Sequence, residues 1–195
     1  MPVTHVLAEP TGNSLFSAAS LFTVALALVH LLMGQWKTSE FDQKRQLLSA
    51  AGGATVAYVF VLLLPEVSEA ALTVGELRGE GLLAEQYVYL MTLFGFVVFY
   101  GVEVAVAHRT GDDVEESSTV FWAHVLIFAL YSALIGYLLF HQEASGIWNL
   151  FFYALAMGLH FGITDHGLRR YHGDVFDRIG RWVLAGATLL GGTVG

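Results

Sequence analysis

Four titratable side chains occur singly within long apolar stretches of the sequence: His30, Glu103, His124 and His160. At about 1.5 Å of helix rise per residue, each of the four lies about 9–13 Å along its helix from the nearest charged residue at the end of the segment. Ionisable groups are rare in a bilayer and usually face other helices or a wet cavity. Three imidazoles and a carboxylate suit zinc and similar divalent ions. The sequence therefore predicts a metal site formed by these four residues.

Two further polar residues lie at the end of the apolar stretch that contains His160. Asp165 and His166 follow it by five and six residues, about 140° and 120° round a regular helix, so they do not share its face. We expect Asp165 either to reach a neighbouring helix or to pair with Arg169 one turn later. Asp165 and His166 are assigned to the mouth of the metal site. His172 falls in the predicted following loop, where we expect it to be solvated.

A purely structural role is the alternative for each of these residues. A single histidine inside a membrane often makes only a hydrogen bond between helices, and Glu103 can extend its carboxylate to the membrane surface. The shared depth of the four residues favours the site hypothesis.

The composition is that of a membrane protein. Hydrophobic residues make up 55% of the chain and charged residues 13%, against about a quarter charged in soluble domains. The absence of cysteine excludes disulfides, thiolate metal sites and cysteine nucleophiles. Six apolar segments are predicted, at about 14–36, 46–66, 86–107, 118–140, 147–168 and 179–195. We predict an all-α, polytopic transmembrane helical bundle that forms one domain, residues 1–195.

Basic residues predict the orientation of this bundle. The loops 37–45, 108–117 and 169–181 hold every Lys and Arg except Arg78. Because basic loops stay in the cytoplasm, the N-terminus is expected outside the cell membrane. The net charge of −8 and the scarcity of lysine suit a prokaryotic, halophilic archaeal source. The expected partners are the lipid bilayer and a metal ion, and nucleic acid is not expected.

Two further expectations concern packing. The residues after Arg181 fall short of the roughly twenty needed to span a bilayer, so we expect the last segment to contact a second copy of the chain or helices beyond Gly195. The second segment carries small residues at helical spacing, which we expect to close the bundle. They are Ala50, Gly53, Ala54 and Ala57.

Three short motifs resemble those of known membrane protein families. The run AAGGATVAYVFVLLLPEV (50–67) resembles the second helix of ZIP metal transporters, which closes on a leucine-rich run and Pro-Glu. The chain is also similar to a group of bacterial and archaeal membrane proteins with the motifs YVFxxLLPE and HFxxxDHGLR. The H-x4-DH spacing of residues 160–166 resembles nickel and cobalt permeases. The resemblances to ZIP transporters and to nickel and cobalt permeases imply metal transport, although the His-rich metal-binding helices of ZIP proteins are absent from this sequence.

The leading hypothesis is therefore a divalent-metal transporter of the zinc type, a transporter or binding protein rather than an enzyme. A second hypothesis is a haem-binding electron-transfer protein, with two of His30, His124 and His160 on the iron. A third is an intramembrane zinc hydrolase similar to alkaline ceramidases and adiponectin receptors, although their C-terminal His-x3-His is absent. The fourth is an accessory membrane protein without chemistry.

Overall fold

The computed structural model describes residues 12–33, 41–78, 82–110, 118–141 and 146–195, and within these ranges it contains helices and no strand. The helices are α1 (Gly12–Met33), α2 (Phe41–Tyr58), α3 (Leu64–Arg78), α4 (Leu82–Thr110), α5 (Ser118–Leu138), α6 (Ile147–Val175) and α7 (Arg181–Val194). Five stretches of the described residues are long and apolar enough to cross a membrane: Asn13–Leu32, Leu48–Leu77, Gln86–Val106, Ser118–Leu138 and Ile147–Val194. The predicted all-α class is confirmed, and its helices are compatible with a membrane protein.

The fifth and sixth predicted segments lie within one helical stretch, Ile147–Val194. The number of crossings stays a prediction, as does the side on which the N-terminus lies. Lys37 and the stretch 111–117, on which the orientation partly depends, lie outside the described residues.

Contacts between helices define the two ends of the bundle. Helix α7 packs on α5 and α1, α1 packs on α6, α2 on α6, and α3 on α4. At one end Phe16 near the start of α1 meets Phe140 just after α5, with ring centroids 5.4 Å apart. At the other end Arg181 begins α7 and donates a 3.5 Å hydrogen bond to the carbonyl of Leu31 in the last turns of α1. We call this second end, where α1, α4 and α6 finish, the polar end.

Large apolar side chains cover the outside of the bundle. Phe60, Phe94, Phe96, Leu130 and Leu190 are all exposed. The apolar window of α4 has no buried residue. A soluble protein rarely exposes so much contiguous apolar surface, whereas lipid chains solvate it without cost.

The second predicted segment extends well beyond its expected end at Glu66. Helices α2 and α3 are joined by the π-helical turn Val59–Leu63, in which the amide of Leu64 donates to the carbonyl of Val59. Pro65 follows immediately and has no amide hydrogen, and its ring clashes with a regular helix four residues earlier. The wider turn places Pro65 in the first turn of α3, where proline is tolerated, so the helix continues to Arg78.

The predicted loop 169–181 is instead a helical corner. Helix α6 continues past Arg169, changes direction at Gly173 (φ 50°, ψ −128°) and passes through the π-helical turn Phe176–Gly180 into α7. A left-handed φ of this kind is accessible to glycine at little cost. Arg169 pairs with Asp177 across the corner, with Nη2 and Oδ2 2.7 Å apart, and not with Asp165.

The small-residue stripe of the second segment does not close the bundle as expected. Gly53 and Ala57 are exposed, and a methyl group placed on Gly53 would meet no atom within 4 Å. Among the α2 side chains whose burial the structure describes, Ala51 and Tyr58 are buried. The packed face of α2 is therefore rotated away from the stripe, because Tyr58 turns toward α6.

Close backbone approach holds α7 against α5. A methyl group on Gly191 would collide with the backbone carbonyl of Ala133, and one on Gly136 would collide with the carbonyl of Thr188. Leu184, Ala185 and Thr188 are buried, whereas Leu190 and Val194 on the opposite side of α7 are exposed. The last segment therefore packs within the chain along one face only.

We predict that Gly191→Ala lowers the free energy of unfolding by about 1–3 kcal/mol, because overpacking against a fixed backbone forces the helices apart. Gly186→Ala is the matched control on α7, since a methyl group there meets no atom within 4 Å. The two variants are compared by denaturant titration in detergent. Equal stabilities would contradict the close α5–α7 contact.

Candidate functional site

Four of the polar side chains of helix α6 form two pairs at seven-residue spacing: Tyr153 with His160, and Asp165 with His172. Seven residues separate Tyr153 from His160 and also Asp165 from His172, which places each pair on one face of the helix. The two faces differ by about 140°, because five residues separate His160 from Asp165. Each face meets polar side chains from neighbouring helices.

His30 of α1 and Asp165 of α6 form a buried pair. Nδ1 of His30 lies 3.0 Å and 2.9 Å from the two carboxylate oxygens, so its N–H donates to both of them. Each side chain is 1% exposed. The Phe161 ring packs on the imidazole with centroids 4.3 Å apart. The pair confirms one of the two expectations for Asp165, that it reaches a neighbouring helix.

The second nitrogen of His30 is left without a hydrogen bond. Nε2 is buried and has no partner among the described residues. An unsatisfied buried polar atom costs about 1–3 kcal/mol. Orientation of Nδ1 by a carboxylate is the arrangement that prepares Nε2 of a histidine to bind a metal ion.

Three side chains from three helices form a continuous line at the polar end. Nε2 of His124 on α5 lies 3.1 Å from Oε2 of Glu103 on α4. Nδ1 of the same ring lies 2.9 Å from Nε2 of His172 on α6. His124 is 1% exposed, His172 3%, and the Glu103 side chain 44%. We call these three residues the relay, since they form a continuous line of side chains from the buried His172 to the half-exposed Glu103.

The acceptor character of a carboxylate sets the tautomers along the relay. An ionised carboxylate can only accept, so the Nε2–H of His124 donates to Glu103. In the neutral ring Nδ1 is then the acceptor, and the Nε2–H of His172 donates to it. Both nitrogens of His124 are therefore engaged, and His124 can ligate a metal or haem iron only by giving one of these bonds up.

His160 lies on the other polar face of α6. Its Nε2 is 3.5 Å from the hydroxyl of Thr164, and its ring meets the Tyr131 ring of α5 with centroids 5.6 Å apart. His166 is half-buried on the same helix. The structure thus associates His160 with neither the His30 pair nor the relay.

The four predicted ligands are distributed over three places. The structure brings Glu103 together with His124, joins His30 to Asp165 and sets His160 beside Tyr131. Within the described ranges no group of three or more acidic or histidine side chains is arranged to hold a metal ion. A common depth follows from helix rise alone, whereas convergence also requires that every residue face one axis.

His172 is the functional candidate that sequence reasoning missed. The prediction that it is solvated in a loop is wrong, because α6 continues to the corner at Gly173 and turns His172 toward α5. Its seven-residue spacing from Asp165 was the available signal. A basic pair such as Arg169 and Arg170 indicates a helix end at a membrane surface, and this indication outweighs the spacing signal.

The chain was also compared with known proteins. No protein-family model, curated protein or solved structure matches it. The motif resemblances noted in the sequence stay predictions. A function must therefore be inferred from the side chains themselves.

Proposed function

We propose that this chain is a proton-coupled cation transporter of the cell membrane, in which the relay passes the proton. The observation that supports this most strongly is the unbroken line from the buried His172 through His124 to the half-exposed Glu103. Chains of Asp, Glu and His inside membrane proteins are typical of proton relays in pumps and transporters. A single hydrogen bond between helices would not need three titratable groups in sequence.

The relay can move one proton with every atom accounted for. A proton that arrives at Nδ1 of His172 releases the Nε2 proton of that ring to Nδ1 of His124. His124 then gives its own Nε2 proton to the carboxylate of Glu103. Both rings end neutral with their tautomers exchanged. The protonated carboxyl group of Glu103 releases the proton at the polar end, toward which its half-exposed side chain can extend.

Proton flux into sealed vesicles tests this function. The purified protein is reconstituted with an internal pH-sensitive dye, and a potassium diffusion potential drives protons inward. We expect faster acidification than in protein-free vesicles and a dependence on an added cation gradient. Glu103→Gln should abolish the difference, because the amide cannot take up the proton, whereas Glu69→Gln on the exposed face of α3 should not. Acidification no faster than in protein-free vesicles would overturn the proposal.

A divalent ion of the zinc type is the second candidate, as cargo or bound ligand. The unpartnered Nε2 of His30, with Nδ1 held by Asp165, favours it. Titration calorimetry in detergent tests this independently of transport. We expect zinc binding that is lost in His30→Gln and retained in His141→Gln, a histidine at the far end of α5. Equal binding by both variants would exclude His30 as a ligand.

A further inference from the structure

The relay explains access from the polar end only, and a second set of polar groups begins level with the relay at His160 and continues deeper into the bundle. Tyr58 of α2 meets Tyr153 of α6 with ring centroids 6.0 Å apart. Tyr131 of α5 meets His160 of α6 at 5.6 Å.

Helix rise places all four groups farther from the polar end than His172, with Tyr58 and Tyr153 the most distant. Tyr153 and His172 are nineteen residues apart on α6, about 28 Å, which is close to the roughly 30 Å of a hydrocarbon core. Tyr58 lies far along α2, and the chain then continues away from the polar end through Glu66. The polar side chains of α6 and its neighbours therefore extend through most of a bilayer.

We propose that Tyr58, Tyr153, Tyr131 and His160 line a second access path, which admits water and the protons it carries from the end opposite to Glu103. This inference rests on the proposed transport function, to which it adds the missing half of the route. Phenol rings with hydroxyl groups suit the task, since each presents an apolar body to neighbouring helices and a polar tip to water.

The two paths are kept apart inside the bundle. His160 and Asp165 face directions about 140° apart on α6, so no direct line joins them. Phe161 follows His160, is 1% exposed and packs on the His30 ring. This aromatic side chain separates the tyrosine path from the His30 pair. A transporter needs such a barrier between its two access paths, because a continuous path would let protons leak across the membrane.

Cysteine accessibility tests the second path without any transport assay. The chain contains no cysteine, so each introduced thiol is the only target. His160→Cys and Tyr131→Cys probe the path, and Glu76→Cys and Glu103→Cys mark the two ends. Leu155→Cys is the matched control, because Leu155 lies on α6 and is 48% exposed toward the apolar outside. A charged, membrane-impermeant thiol reagent is added to one side of sealed vesicles at a time.

We expect His160→Cys and Tyr131→Cys to react from the side that labels Glu76→Cys, at least about tenfold faster than Leu155→Cys, since hydrocarbon excludes a charged reagent. Two probes on different helices keep the test valid if one variant fails to fold. Reaction from the Glu103 side, or no faster than Leu155→Cys, would overturn the second path. Loss of the proposed transport function would appear separately, as absent proton flux in the unaltered protein.

Discussion

Replacing Asp165 with alanine is expected to lower the free energy of unfolding by about 1–3 kcal/mol. The substitution leaves the His30 imidazole buried at 1% exposure with neither nitrogen hydrogen-bonded. Removing one partner of a buried pair costs more than removing both, because the remaining polar group has lost its water and gained nothing. The double variant His30→Leu with Asp165→Leu should therefore recover most of the lost stability.

Unfolding by denaturant in detergent, followed by circular dichroism, measures these differences. Asp174→Ala is the matched control, since Asp174 lies nine residues further along the chain and is exposed. Its effect should stay within about 0.5 kcal/mol. The buried pair is contradicted if Asp165→Ala and Asp174→Ala are equally stable, or if the double variant is less stable than Asp165→Ala.

The second large effect concerns proton transfer. His124→Phe keeps a ring in the same space and removes both links of the relay. We expect the proton flux to fall at least about a hundredfold, the lower range for removal of a positioned proton-transfer group. His172→Phe should do the same. The double variant should be no slower than either single one, because each substitution already interrupts the same line.

Vesicle acidification with a pH-sensitive dye provides the measurement, and His141→Phe is the control for the loss of an imidazole from the α5 region. His141 is exposed and stacks on Tyr137, away from the relay. Flux through His124→Phe that matches His141→Phe would show that protons do not pass through the relay. Additive effects of His124→Phe and His172→Phe would place the two residues on separate routes.

The fold class and the burial of isolated polar residues could be predicted from the sequence, because both depend on the local pattern of apolar and polar residues. Long apolar stretches predict membrane-compatible helices whatever their packing, and the structure contains such helices. His30 and His124 are both buried, as isolated polar residues in apolar helices should be. The sequence leaves two partners open for Asp165, a neighbouring helix or Arg169, and the structure pairs it with His30.

The partners of these residues could not be predicted in the same way. Depth along a helix follows from residue count, whereas the direction a side chain faces around the bundle depends on how each helix is rotated. Glu103 and His124 face one another, but His30 and His160 face different neighbours. The stripe at Gly53 shows the same limit, since small residues permit close packing without requiring it.

Helix ends were the other source of error. The basic pair Arg169 and Arg170 resembles a helix end at a membrane surface, yet α6 continues to Gly173. Pro65 resembles another end, yet the preceding π-helical turn lets the helix continue. A helix can continue past a residue that usually ends it when the neighbouring turn changes its geometry. His172 lies in the part of α6 that continues past such residues.

Solid-state NMR of the protein labelled with ¹⁵N-histidine in lipid bilayers tests the relay most directly. His124→Phe and His172→Phe identify the two resonance sets. We predict a hydrogen-bonded contact between Nε2 of His172 and Nδ1 of His124, which are 2.9 Å apart, with Nδ1 of His124 unprotonated. The relay would be contradicted if the two rings show no mutual contact and their N–H protons exchange freely with bulk water.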